Sequence, residues 1–292
     1  METFDKLQDI SSLLNKRLGR MSDDDFSSLA AFIKERYGLN LEGRKAMVES
    51  RLYNYVIDCG FESFSEYLNT VYSSGYSVEA ANIINRLTTN YTYFFREQEH
   101  YEHFSQVFLP QLEKTIDNNE ICVWSAGCSF GNEAYTFAIC MEEYFGSRHQ
   151  EWDKRLLATD ISQNALIAAK KGIYSKNVLS SLPESWVRKY FTEKNGLYTV
   201  TDKLRSQVVF KYHNLMEPIT FKKKFDLIIC RNVMIYFDNP TKSQLLKRFS
   251  NALKPGGYLY IGHAEAMPDD CPFVRERAAV YRKLKGEGET HE

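Results

Sequence analysis

Residues 121–160 contain a short apolar run, ICVWSA, then a glycine turn, GCSFG, then NEAYTFAICMEEYFG, then RLLATD. Four to six apolar residues that end in a glycine turn form a strand, and the longer run ending at Gly146 forms a helix. RLLATD gives a second strand, closed by Asp160. The alternation continues with a helix in SQNALIAAKKG, a strand in FDLIIC, a helix in NPTKSQLLKRFSNALKPGG and strands in GYLYIG and AAVYRKLK. Asn239 is read as the cap of the third of these helices, with Pro240 in its first turn. Strands alternating with helices predict a parallel sheet covered on both faces. Residues 190–214 interrupt the pattern with two strand-like pieces, Leu197–Val200 and Val208–Phe210, and are read as an antiparallel β insertion too small to stand alone.

Residues 1–87 show no such alternation and read as all-helical. Phe4, Leu7, Ile10, Leu14 and Leu18 follow a helical stripe, and Phe26, Leu29, Ile33 and Tyr37 follow another between a cap at Ser22–Asp25 and a stop at Gly38. The expected organisation is a helical domain with its linker over 1–87, an α/β domain over 88–286 and a disordered tail over 287–292. No run of about 18 apolar residues is present, and the N-terminus lacks a signal-peptide core. None of the six cysteines forms a CxxC, and four sit in apolar stretches, which suits reduced thiols and a cytoplasmic protein. A net charge of −1 argues against nucleic acid as a partner. His100 and His103 are read as exposed helix histidines, and no metal is expected.

The glycine turn narrows the ligand. Its spacing is GxxxG, not the GxGxxG of dinucleotide folds, and no phosphate-binding GKS or GKT follows. Asp160 ends a strand where open α/β sheets bind ligands, and a carboxylate there can accept from both hydroxyls of a ribose. It could equally cap the helix that starts near Ser162. Glu133, beside the turn, disfavours a pyrophosphate. A ligand with a ribose, positive charge and no phosphate fits these residues: S-adenosylmethionine rather than NAD.

Several motifs together resemble the CheR-type glutamate O-methyltransferases of chemotaxis receptors. They are NYTYFFRE, WSAGCSFGNEAYTFA, ATDIS, NLMEP, DLIICRNVMIYF and LKPGGYLYIGHAE, in that order. GLNLEGRKAMVESRL and FSEYL resemble the family's N-terminal domain, and the likeness runs from about residue 22 to about 284. It implies an α/β fold: a Rossmann-like class I methyltransferase domain with a small antiparallel β insertion, preceded by an all-helical domain. It further implies cofactor contacts at Asn90, Thr92, Arg96, Glu133, Asp160, Asn214, Leu215, Arg231 and Asn232, and an active-site tyrosine at Tyr236. S-adenosylhomocysteine is the implied product. Asn132 and Ala134 depart from the family's usual residues, at positions without chemistry.

A glutamate acceptor is already ionised at pH 7, so no general base is needed. Arg96 is the candidate to orient the acceptor carboxylate, unless it is tied up by Glu97 or Glu99. Tyr236 is assigned to positioning near the methyl, with packing as the plainer alternative. The aromatics of NYTYFFRE are expected to form a pocket wall and lid. Arg44, Lys45 and Arg51 form a candidate stripe for docking the helical receptor bundle, or a solvated helix face. The short loop TEKNGLY suggests that no receptor C-terminal peptide tether is needed, and nothing suggests an obligate dimer; a monomer is expected. RNA or a small molecule as acceptor, and a non-catalytic cofactor sensor, remain the competing readings.

Overall fold

The computed structural model describes residues 18–73, 77–88, 91–116 and 118–284. Asn90, the stripe at Phe4, Leu7, Ile10 and Leu14, and the 287–292 tail lie outside the described residues. The chain divides into two compact units, 1–89 and 90–292.

The first unit holds helices α1 (Asp23–Tyr37), α2 (Lys45–Asp58), α3 (Phe64–Ser73) and α4 (Ser77–Leu87). The Ser22 hydroxyl accepts from the Asp25 N–H to cap α1, and Gly38 closes it in the left-handed conformation at φ 73°. Leu29, Ile33, Val48, Leu52, Val56, Phe64, Leu68 and Ile83 are buried. The helices are amphipathic and meet on those faces.

In the second unit, α5 (Glu99–His103) runs through a π turn at Phe104–Phe108 into α6 (Leu109–Thr115). Then come β1 (Val123–Ala126), α7 (Asn132–Phe145), β2 (Leu156–Asp160) and α8 (Gln163–Lys171). Next are β3 (Ile173–Ser175), α9 (Glu184–Tyr190), β4 (Phe191–Lys194), β5 (Leu197–Val200), α10 (Asp202–Arg205) and β6 (Val208–Tyr212). The unit ends with β7 (Phe225–Cys230), α11 (Asn239–Ala252), β8 (Leu253–Ile261), β9 (Val274–Arg277) and β10 (Val280–Arg282). The cap of α11 is Asp238, whose carboxylate accepts from the Thr241 N–H, not Asn239, which is already helical.

The main sheet has the order β6-β2-β1-β7-β8-β10-β9. Trp124 of β1 registers with Leu157 of β2 on one side and with Ile228 of β7 on the other, both parallel. Every residue of β1 and β7 is buried, as strands covered on both faces must be. The expected β insertion needs correction. Val208–Tyr212 pairs parallel with β2 as an edge of the main sheet, and the small antiparallel sheet is β3-β5-β4. Val208 and Phe210 turn inward while Val209 is exposed, the alternation of an edge strand, which sequence alone does not distinguish from an insertion strand.

Because β2 and β7 flank β1, the chain reverses its order of travel there. The carboxyl ends of all three strands meet at one edge, which places the 127–131 turn, Asp160 and Arg231 together.

Candidate active site

The turn after β1 is held by β2. The N–H groups of Gly127 and Cys128 donate to the Thr159 carbonyl at 2.8 and 2.9 Å, and the Ser129 N–H donates to Asp160 Oδ2 at 2.7 Å. Gly127 sits at φ 96°, and a Cβ there would lie 2.4 Å from Val233 Cγ2, so no side chain fits. The other Asp160 oxygen accepts from the Ser162 N–H at 2.8 Å. The cap of α8 is Ser162, through the Ala165 N–H, so the helix-cap alternative for Asp160 falls to its neighbour. Burial pushes the Asp160 carboxyl up, against the opposing backbone amides of Ser162, Ser129 and Ile161.

Arg231, one residue beyond β7, is the hub of the edge. Its side chain is only 2% exposed. Nη1 donates to Glu133 Oε2 at 3.0 Å and to the Tyr101 hydroxyl at 3.2 Å. Nε and Nη2 meet Glu97 Oε2 at 3.3 and 3.2 Å, and Nη2 also donates to the Arg96 carbonyl. Burial works against this charge, but Tyr101, Glu133 and Glu97 hold its proton more tightly than usual. Glu133 uses its other oxygen to accept from the Ser125 hydroxyl at 2.7 Å. The countercharge to Glu133 is therefore supplied inside the protein, and Glu133 is not an isolated anion awaiting a cationic ligand.

The segment Tyr91–Glu97 divides by side-chain chemistry. Phe94 is fully buried, but Tyr91 is 73% and Tyr93 39% exposed, so only part of the expected aromatic wall is buried. Phe95 and Glu97 adopt positive φ, 62° and 58°, which non-glycine residues take only when held. Phe95 is held by Tyr101 and Trp186, with ring centroids at 4.9 and 5.4 Å. Glu97 is held by Arg231 and by the Asn232 Nδ2, which donates to Oε1 at 3.3 Å. Glu97 is thus the partner of Arg231, not of Arg96. Arg96 instead donates from Nη1 to the Tyr91 carbonyl at 2.8 Å and lies 5.8 and 5.9 Å from the Tyr91 and Tyr93 ring centroids.

Asn232 follows Arg231 with φ 59°, and Tyr236, half-buried, ends a one-turn 3-10 helix at Met234–Tyr236. Asn214 and Leu215 are buried just after β6, with Asn214 Oδ1 accepting from the Met216 N–H at 3.0 Å. Thr92 is half-buried within the same unit. In the helical unit the basic stripe is uneven. Arg44 is exposed and precedes α2, Lys45 pairs with Asp23 at 2.6 Å, and Arg51 donates to the Leu87 carbonyl at 2.6 Å.

Sequence reasoning missed Tyr101 and the roles of Glu97 and Glu265. Glu97 was legible as the last letter of NYTYFFRE, and Glu265 as the last of GYLYIGHAE. It also misplaced the histidines. His100 and His103 are each 1% exposed, because Tyr101, Phe104 and Phe108 turn that helix face into the core. His100 Nε2 meets the Ala279 carbonyl at 3.3 Å, so Nε2 carries the proton, and burial holds the imidazole pKa down at about 4. His103 Nδ1 lies 2.5 Å from the Tyr260 hydroxyl. Glu97, His100 and His263 bring ligand-type atoms within 4.8 Å of one another. Both oxygens of Glu97 already serve Arg231 and Asn232, however, so the one carboxylate of this trio is committed to the Arg231 network. No helix among the described residues is long and apolar enough to cross a membrane.

Comparison with known proteins agrees with this arrangement. Residues 90–280 match the family described as CheR methyltransferase, SAM binding domain, and residues 24–88 match the CheR methyltransferase all-alpha domain. The chain is 38% identical over 269 residues to the chemotaxis protein methyltransferase of Borreliella burgdorferi, covering 90% of this chain and 95% of that one. It is 36% identical over 251 residues to the chemotaxis protein methyltransferase of Escherichia coli K12, covering 84% and 85%.

Proposed function

Because the chain belongs to the CheR methyltransferase family, a SAM-dependent methyltransferase of chemotaxis, we propose that its methyl acceptors are glutamate side-chain carboxylates of chemotaxis receptors. The products are glutamate methyl esters and S-adenosylhomocysteine. One observation carries the reading: the glycine turn, Asp160 and the Arg231 network converge where β1, β2 and β7 end.

The residues present fit the cofactor. The turn has no side chain at Gly127, Asp160 keeps a lone pair beyond those used by the backbone amides of Ser129, Ile161 and Ser162, and the turn GCSFG carries no lysine for a phosphate. When bound, the cofactor supplies an electrophilic methyl group. Asp160 would accept from its ribose hydroxyls, and Thr92, Glu133, Asn214, Leu215 and Asn232 would complete the cradle. Arg231 acts by fixing Glu133, Glu97 and the Arg96 backbone.

The acceptor carboxylate has a reference pKa of about 4.3 and needs no base. Orientation is then the main task, and holding two reactants in line is worth roughly 7–11 kcal/mol. Arg96 has one N–H donor on the Tyr91 carbonyl, which leaves most of a five-donor fork for the acceptor carboxylate. Tyr236 holds the approach near the methyl. Arg44, with Lys45 and Arg51 behind it, meets the acidic surface of the receptor bundle. The turn between β4 and β5 is only Asn195-Gly196, both at positive φ, a tight hairpin that supports independence from a receptor peptide tether. The protein acts as a cytoplasmic monomer.

Calorimetry with S-adenosylmethionine, followed by labelled methyl transfer to receptor-containing membranes, tests the reading. Binding and a base-labile label are expected. Asp160→Ala should bind at least about tenfold more weakly, the loss of one good hydrogen bond or more. A label that survives base would overturn the carboxylate acceptor, and absence of binding would overturn the cofactor.

A further inference from the structure

The loop after β7 has a backbone that its own sequence does not stabilise. Asn232 sits at φ 59°, the left-handed region that asparagine enters more readily than other non-glycine residues but that still needs holding. The 3-10 turn that follows leaves its first N–H groups without partners inside the turn. Glu265, in the turn after β8, supplies those partners. Its Oε1 accepts from the Val233 N–H at 2.9 Å and the Met234 N–H at 2.7 Å, and its Oε2 accepts from the Gly262 N–H at 2.5 Å. The Asn232 backbone N–H adds to the hold. Glu265 is 9% exposed, so an apolar residue in its place would leave several buried donors unpaired.

The same loop is also fitted by shape. A Cβ at Gly262 would lie 2.5 Å from Asn232 Nδ2, so the end of β8 is cut back to admit that side chain. Glu97 then takes the Asn232 amide, and Glu265 takes the backbone around it. The Tyr236 N–H donates to the Val233 carbonyl at 3.2 Å, which ties Tyr236 to the residue that Glu265 grips.

We propose that Glu265 is a positioning residue for methyl transfer: by gathering the amides of residues 233, 234 and 262 it fixes the left-handed Asn232 and the direction in which Tyr236 leaves the sheet, without touching cofactor or substrate. This rests on the reading that Asn232 and Tyr236 belong to the site.

The test compares Glu265→Ala and Glu265→Gln with wild type in the full chain. Three quantities are read: S-adenosylmethionine affinity, receptor methylation kinetics, and amide exchange at residues 232–237. Misplacement of a catalytic group by about 1 Å costs about 100-fold in rate, so kcat of the alanine variant should fall by about that factor. Its cofactor affinity should fall far less, by no more than about tenfold, because Asn232 is one of several residues of the cradle. Exchange at Val233 and Met234 should quicken. The glutamine variant keeps an acceptor oxygen and the side-chain shape, so it should recover part of kcat, and it carries the test should the alanine variant not fold. Unchanged kcat in both variants would overturn the proposal. So would a loss of cofactor affinity as large as the loss of turnover, since Glu265 would then support the whole pocket. A wild-type protein that binds cofactor but methylates no receptor counts against the receptor reading alone. In that case unaltered exchange at 233 and 234 still overturns the role of Glu265, and selective acceleration there supports it.

Discussion

Arg51 in the helical unit and Arg231 in the α/β unit are both arginines that donate to backbone carbonyls, yet they contribute in different ways. Arg51 is half-buried and reaches the carbonyls of Arg86 and Leu87, at 3.4 and 2.6 Å, where α4 ends. If it leaves, water can reach part of what it bonded. Arg231 is 2% exposed and stands between Glu97 and Glu133, which are 16% and 13% exposed. If it leaves, two carboxylates lose their countercharge in a place water barely enters. The worth of a guanidinium is set by what it strands on departure, not by how many bonds can be drawn to it.

The largest expected effect follows from that difference. Breaking a buried pair by removing one partner costs about 3–5 kcal/mol, so Arg231→Ala should lower unfolding stability by that much in urea titrations. Arg231→Lys should not restore it, because one ammonium cannot reach Glu133, Glu97, Tyr101 and the Arg96 carbonyl from a single point. A loss below about 1 kcal/mol for the alanine variant would put Arg231 in the same class as a surface pair and dissolve the contrast.

His100 sharpens it from another direction. Its imidazole is buried neutral beside the Arg231 cluster, with a folded pKa of about 4 against an ordinary 6.5. Between those values the unfolded chain binds the proton and the folded chain does not. Stability must therefore rise with pH across this window and be lost as pH falls through it. The full shift corresponds to about 3 kcal/mol between neutral pH and pH 4. His103, also held below its usual pKa by burial, acts in the same sense. His100→Gln should flatten part of the slope of urea midpoint against pH from 4 to 6.5. Superimposable slopes for variant and wild type would mean that the ring is already protonated in the fold.

Much of this was legible in the sequence, for physical reasons. Asp160 and the 127–131 turn could be placed because a strand ending in glycine or an acid announces its own carboxyl end. The alternation after residue 120 gave the parallel sheet because buried parallel strands are nearly continuous apolar runs. What could not be read was partnership across sequence distance. Glu97 is drawn to Arg231 over 134 residues rather than to Arg96 beside it, and no local pattern encodes that choice. Val208–Tyr212 was mistaken for an insertion strand because an edge strand, half exposed, alternates as a free hairpin does. The histidines were judged by residue type, whereas the apolar residues between and after them decide which way the helix faces.

The smallest effects lie in the basic stripe, and they separate its members. Arg51→Ala removes hydrogen bonds at a helix end and should cost about 1 kcal/mol of stability, read as a shift in the urea midpoint. Arg44 is exposed ahead of α2, and an exposed substitution there should stay within about 0.5 kcal/mol. Receptor engagement should divide the other way. Charge at the rim of an interface acts chiefly on encounter and on salt dependence. Arg44→Glu should therefore raise the receptor concentration needed for half-maximal methylation, most visibly at low salt, while S-adenosylmethionine affinity stays as in wild type. Arg51→Ala, whose guanidinium already serves α4, should change receptor kinetics less than Arg44→Glu does. An Arg44→Glu protein with wild-type receptor kinetics at low salt would take the most exposed member out of the stripe. The receptor-docking face would then have to be sought elsewhere on the helical unit.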